Sequence, residues 1–232
     1  MSENRRFAIG DIHGCIHTFR YLVEEVLQIN AGDTLFLLGD YIDRGPGSKE
    51  TIQYIRHLSS FTSVKPVMGN HEFMLLKSLE NEAFFELWFM NGCEATLMSF
   101  GAGPTLAMEP ASVHLIPDEF VEFFKALPLY EQTDDFFFVH AGLNPKSDDP
   151  LSDEETLLWT RSEDVPEEIL GKRKLIHGHT PVELTLIQQR VEDPRSTVIN
   201  LDGGCVYRYR GLGYLVALDL DQMKLFPVKN RE

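Results

Sequence analysis

The sequence predicts an α/β fold of two stacked sheets with helices outside. Three observations carry this. Short apolar runs alternate with helical patterns through the first third of the chain, the β-α-β-α-β order of a parallel sheet with right-handed crossovers. Strand-like segments joined by turns fill most of the chain after residue 128. Between them, 83–127 has several short helical patterns and no strong strand. With 232 residues, 43% of them hydrophobic and 25% charged, the chain can bury a substantial core. It reads as one domain, 1–232, with 83–127 as a helical insertion.

Taken in order, Arg6–Ile9 is a short apolar strand, and 15–28 has apolar positions at helical spacing. Asn30–Asp33 is a turn, Thr34–Leu38 a buried strand and 48–59 a helix. Val64–Met68 is a third strand, followed by a helix over 71–80. After the insertion, 129–140, 173–177, 183–191, 197–201, 206–209, 213–219 and 223–228 read as strands, which predicts a largely antiparallel second half.

A formal net charge of −15 disfavours nucleic acid as a partner. The same charge repels phosphorylated substrates unless something local reverses it. Residues 147–168 hold nine acidic side chains and one basic one, and read as a solvated acidic loop, with a partner-selecting surface as the sharper alternative. Three cysteines without a CxxC pair argue against a disulfide framework and a structural zinc site, and fit a reducing, cytoplasmic setting. No stretch resembles a signal peptide or a bilayer span, so no membrane partner is expected. The aromatic residues Phe84, Phe85, Trp88, Phe89 and Trp159 read as packing, and Cys15 as a small packed side chain.

Chemistry-bearing residues cluster where the predicted strands end. The first gives Gly10-Asp11-Ile12-His13-Gly14 and the second Gly39-Asp40-Tyr41-Ile42-Asp43-Arg44-Gly45. The third gives Gly69-Asn70-His71-Glu72. Val139-His140-Ala141-Gly142 and Ile176-His177-Gly178-His179-Thr180-Pro181 follow later. In open α/β sheets ligands bind beyond the carboxyl ends of strands. Asp11 and His13 are two apart, which in extended backbone points both to one side. Singly each cluster is weak; Asn70 and Glu72, for example, suit a helix start as well as a site. Together they offer oxygen and imidazole ligands without thiolate, a set suited to Mn²⁺, Fe or Zn²⁺.

These five motifs, in this order, resemble the phosphoprotein phosphatase branch of the calcineurin-like metallophosphoesterases, over about residues 5–205 and nearest to bacterial and phage members. The resemblance implies that family's four-layer fold, two stacked mixed sheets flanked by helices. It implies two divalent metal ions, Mn²⁺ first. Asp11 and His13 would hold one metal, Asp40 would bridge, and Asn70, His140 and His179 would hold the second. His71 matches the general acid, Asp43 the carboxylate that orients it, and Arg44 a phosphate-binding arginine. Asn70 would also face the phosphate, and Arg161, in Leu157-Leu158-Trp159-Thr160-Arg161, matches a second phosphate-binding arginine. From sequence alone His71 could instead be a metal ligand, and His177 reads as supporting His179.

Two divalent ions against two aspartates leave the site positive, which reverses the acidity of the chain locally. The implied nucleophile is a metal-bridging hydroxide, with no phosphoenzyme. The main expectation is therefore a serine/threonine protein phosphatase, or a hydrolase of small phosphoesters. A symmetric diadenosine tetraphosphate or other nucleotide hydrolase is the alternative; such enzymes share a Gly-Pro-Gly-Ser run like Gly45–Ser48, while Asp43 and Glu72 favour the phosphoprotein branch. A metal-free scaffold is the non-enzyme alternative, which the filled ligand positions oppose. The sequence does not specify an oligomeric state.

Overall fold

The computed structural model describes residues 4–161 and 165–232. Glu163 and Asp164 of the acidic segment, and the first three residues, lie outside the described residues. Strands β1 (Arg6–Ile9), β2 (Thr34–Leu37) and β3 (Ser63–Pro66) pair in parallel, joined by α1 (Ile16–Tyr21), a π-helical turn (Leu22–Leu27) and α2 (Ser48–Leu58). The chain continues through α3 (Asn70–Glu80), α4 (Glu82–Met90), α5 (Cys93–Ser99), two short 3₁₀ turns and α6 (Asp118–Lys125). Then come β4 (Tyr130–Gln132), β5 (Phe136–Val139), α7 (Glu154–Trp159), α8 (Glu167–Leu170) and β6 (Lys174–His177). The chain finishes with α9 (Leu184–Glu192), β7 (Val198–Asn200), β8 (Tyr214–Asp219) and β9 (Lys224–Lys229).

The two sheets run β3-β2-β1-β8-β9 and β4-β5-β6-β7. Side-chain alternation, period two along each strand, sorts their residues into layers. Phe7 and Ile9 of β1 and Leu35 and Leu37 of β2 point into a core shared with α1, α2 and the helices of 82–125. Ala8 and Phe36 point the other way, against Phe138 and Ile176 of the second sheet. Phe36 and Phe138 stack face to face at 3.9 Å between ring centroids. Phe137 and Val139 turn outward onto Leu157 and Leu170 of α7 and α8. Helices, sheet, sheet, helices is the expected layering, and both sheets are mixed.

Three expectations fail. Residues 184–192 are helical although 183–191 alternates like a strand. Ile187 is buried and Leu184 and Val191 pack half-buried against the same core, at helical spacing, so one apolar face suffices. Residues 206–209 are a turn. The second sheet is mainly parallel: β5, β6 and β7 run together and only β4 opposes. The antiparallel pairing falls elsewhere, because β8 crosses back to pair with β1 and carries β9 with it. No helix among the described residues is long and apolar enough to cross a membrane.

Candidate active site

The ends of β1, β2, β5 and β6, with the start of α3, converge on one pocket of about 150 Å³ lined by Asp40, Arg44, Asn70, His71, Arg161 and His179, among others. Asp40 is its centre. One carboxylate oxygen lies 3.5 Å from His13 Nε2 and 3.8 Å from His71 Nε2, and the other 3.4 Å from His140 Nε2. Two groups of potential ligand atoms result, His13-Asp40-His71 and Asp40-His140-His179, sharing the Asp40 carboxylate. Burial raises the Asp40 carboxyl, but His140, His71, His13 and Arg44 outweigh it and hold it below the usual carboxylate range.

Backbone carbonyls choose the imidazole tautomers. His13 and His140 each place Nδ1 2.8 Å from a carbonyl oxygen, of Ile42 and Leu38 respectively. The Nδ1–H donates there and the Nε2 lone pair faces the pocket, the arrangement that suits a metal ligand. His140 Nε2 then meets Asn70 Oδ1 at 2.8 Å and His179 Nδ1 at 3.1 Å. Nε2 and the amide oxygen are both acceptors. A divalent cation among them removes that conflict, so the donor set fits a metal.

Asp11 falls outside both of these ligand groups, and the backbone is not extended at His13, whose φ of 47° lies in the left-handed region. The Asp11 carboxylate accepts the His179 backbone N–H at 3.1 Å, and its oxygen approaches Gly178 so closely that a Cβ there would lie 2.0 Å away. Gly178 is required by that approach. Seven non-glycine residues among those described have positive φ, and five of them are His13, Asp40, Asp43, Arg44 and His179. Strain concentrated in this way is typical of functional sites.

His71 donates from Nδ1 to Asp43 Oδ2 at 2.6 Å. Burial lowers the affinity of this ring for a proton, but Asp40 and Asp43 outweigh burial and raise its pKa. The Asp43 carboxylate also accepts from Trp88 Nε1 at 2.6 Å and from Thr96 Oγ1. Arg44 reaches between two imidazoles, 2.6 Å from His13 Nε2 and 2.9 Å from His71 Nε2. Arg161 joins the rim of the pocket. His177 closes β6, buried beneath the site, with Nδ1 3.1 Å from the Gly178 oxygen. Burial brings its pKa down to about 4.

Three contributors have roles that the five motifs do not assign. Glu72 suits a helix start, and it does accept the Gly69 N–H at 3.0 Å, but it also accepts the N–H groups of Asp40, Tyr41 and Ile42. One carboxylate thereby holds the whole second-strand loop. Trp88, expected to pack only, is one of the donors that fix Asp43. Asp202, buried just beyond β7, pushes the buried Asp11 carboxyl higher, and burial brings its own pKa to about 7. Its signal was available: Val198-Ile199-Asn200-Leu201 is an apolar run ending in Asp-Gly-Gly, like the first two motifs.

The sequence model of the calcineurin-like phosphoesterases matches residues 5–208. The chain belongs to that family. Among curated phosphoesterases, a symmetrical bis(5'-nucleosyl)-tetraphosphatase of Cronobacter sakazakii is 33% identical over 148 residues, 63% of this chain and 46% of the relative. The asymmetrical bis(5'-nucleosyl)-tetraphosphatase PrpE of Bacillus velezensis is 28% identical, over 89% of this chain and 86% of the relative. The chain thus spans less than half the length of the symmetrical relatives and most of the asymmetrical one. A solved protein serine/threonine phosphatase of Saccharomyces cerevisiae superposes with TM-score 0.63 at 15% identity, covering 99% of this chain and 81% of that one, a likeness of fold alone.

The expectation of a serine/threonine protein phosphatase is overturned by these relatives, which are named as tetraphosphatases of dinucleosides. The physical reason is local. Asp43 and Glu72 favoured the phosphoprotein branch, yet Asp43 acts on His71 and Glu72 on the 40–42 loop. Neither lines the grooves that adjoin the pocket.

Proposed function

We propose that this phosphoesterase hydrolyses dinucleoside polyphosphates, with diadenosine tetraphosphate as the representative substrate. The observation that carries the reading is the small pocket itself, lined by two arginines, two imidazoles and one buried carboxylate on a strongly acidic chain. Such a pocket accepts a phosphate chain, and the names of the relatives supply the class.

In this reading Asp11, His13, Asp40, Asn70, His140 and His179 hold two divalent ions, Mn²⁺ first. Bound there, the ions supply Lewis acidity and an activated water. Arg44 and Arg161 hold phosphoryl oxygens through their planar guanidinium groups. Asp43 keeps the His71 ring oriented, and Nε2 of that ring is the atom that hands a proton to the departing oxygen. The proton matters less here than for an alcohol, because a phosphate leaving group already titrates at about pH 6. His71 also lies within ligand reach of His13 and Asp40, and metal analysis of His71→Asn decides between the two roles.

The test is hydrolysis of diadenosine tetraphosphate with Mn²⁺, with products separated by chromatography. Two ADP indicate symmetrical cleavage, and ATP with AMP asymmetrical cleavage. Activity on phosphopeptides without activity on the dinucleotide contradicts the proposal.

A further inference from the structure

We propose that the loop 206–210 selects the nucleoside of the substrate, with the Tyr207 ring stacking on a nucleobase whose phosphate chain lies on Arg44. This rests on the dinucleoside polyphosphate reading above. The phosphate pocket, at about 150 Å³, is smaller than the roughly 300 Å³ at which small-molecule sites begin, so a nucleoside must lie outside it. An adjoining groove of about 490 Å³ is lined by Arg44, Met90, Asn91, Gly92, Val206 and Tyr207. Arg44, Asn91 and Tyr207 belong to both. A phosphate held by Arg44 therefore leads its nucleoside into that groove.

Tyr207 is shaped for the contact. Its ring centroid is 5.8 Å from the Arg44 guanidinium carbon, and Tyr209 braces it in a near-parallel stack at 6.0 Å and 25°. Met90, 77% exposed, offers a polarizable thioether in the same groove. Arg208 and Arg210 alternate with the tyrosines and are exposed, a local positive segment on a chain of net charge −15. Aromatic rings interleaved with arginines are a standard means of stacking bases while tracking phosphates. A second groove, about 630 Å³, meets the pocket at Trp159, but Glu154 and Glu155 line it and repel a phosphate chain.

The test compares the full chain with Tyr207→Ala, Tyr207→Phe and Trp159→Ala, all with Mn²⁺. It reads KM for diadenosine tetraphosphate and Ki for inorganic tetraphosphate, the same phosphate chain without nucleosides. Tyr207→Ala is expected to raise KM about tenfold, one lost base stack, with Ki moving less than about twofold. Tyr207→Phe, which keeps the ring face, is expected to restore KM. Three results overturn the inference: an unchanged KM in Tyr207→Ala, a parallel rise of KM and Ki, or a KM rise confined to Trp159→Ala. A wild-type chain inert on the dinucleotide but active on another phosphoester removes the proposed function and this inference together. An active wild type with an unaffected Tyr207→Ala removes the inference alone.

Discussion

At the floor of the site Asp11, His13, Asp40, Asn70, His71 and His140 are each at most 3% exposed, and most of their polar atoms are held by backbone groups or by one another. At the rim Tyr207 is half-buried and Arg161 exposed, and the Tyr207 ring faces the side chains of Arg44 and Tyr209. The floor is preorganised: in the second-strand loop one carboxylate, Glu72, receives three consecutive N–H groups. The rim is adaptable. Chemistry common to a family suits a rigid floor, and choice of substrate suits a rim that can change without disturbing it.

Substitutions test that contrast. Asp40→Asn carries the largest expected effect, because both ligand groups share its carboxylate. Nearly all hydrolysis and at least one metal per chain are expected to be lost, as read by activity and elemental analysis. A variant that keeps both breaks the floor account. His71→Asn is expected to lower kcat on the dinucleotide by about 10²-fold, and by more on an alkyl phosphate, with metal content near wild type. Equal losses on both substrates would mean that leaving-group protonation is not its role.

Glu72→Gln comes next. It places amide hydrogens against backbone donors and is expected to weaken metal binding by about 10–100-fold, as read by metal titration. Trp88→Phe keeps the packed ring and removes one donor to Asp43. A fall in kcat of roughly tenfold or less is expected. Asp33→Asn, far from the site, loses the paired contacts with Arg5 and should cost about 2 kcal/mol of stability in denaturant unfolding without changing turnover. The hydrogen bonds from Arg5 hold the Asp33 carboxyl below the usual range despite its burial. Its contribution is thus present above the ordinary carboxylate pKa, about 4, and fades as pH falls through and below it.

The floor was legible because its residues follow apolar runs and sit beside glycine, a local signal. Asp202 sits in the same kind of signal and could have been read. Glu72 and Trp88 could not, since each acts on a loop about 30 to 45 residues away. The same limit affects the fold. The first three strands are neighbours in sequence and were placed correctly, whereas β8 pairs with β1 across about 210 residues and no local pattern announces it. Helix α9 was misread because Val182-Glu183-Leu184-Thr185-Leu186 alternates for five residues, and the helical period becomes decisive only over a longer window. The rim was least legible: Tyr207-Arg208-Tyr209-Arg210 alternates like a strand, yet it lies in irregular backbone.

Asp40 belongs to both ligand groups and would serve two cations through one carboxylate. Metal-depleted protein titrated with Mn²⁺ measures this directly, with binding followed by calorimetry and hydrolysis of diadenosine tetraphosphate followed in parallel. Two equivalents per chain, with activity returning only as the second binds, is the result expected. Full activity in the depleted protein, or saturation by Asp40→Asn at the same two equivalents, would contradict it.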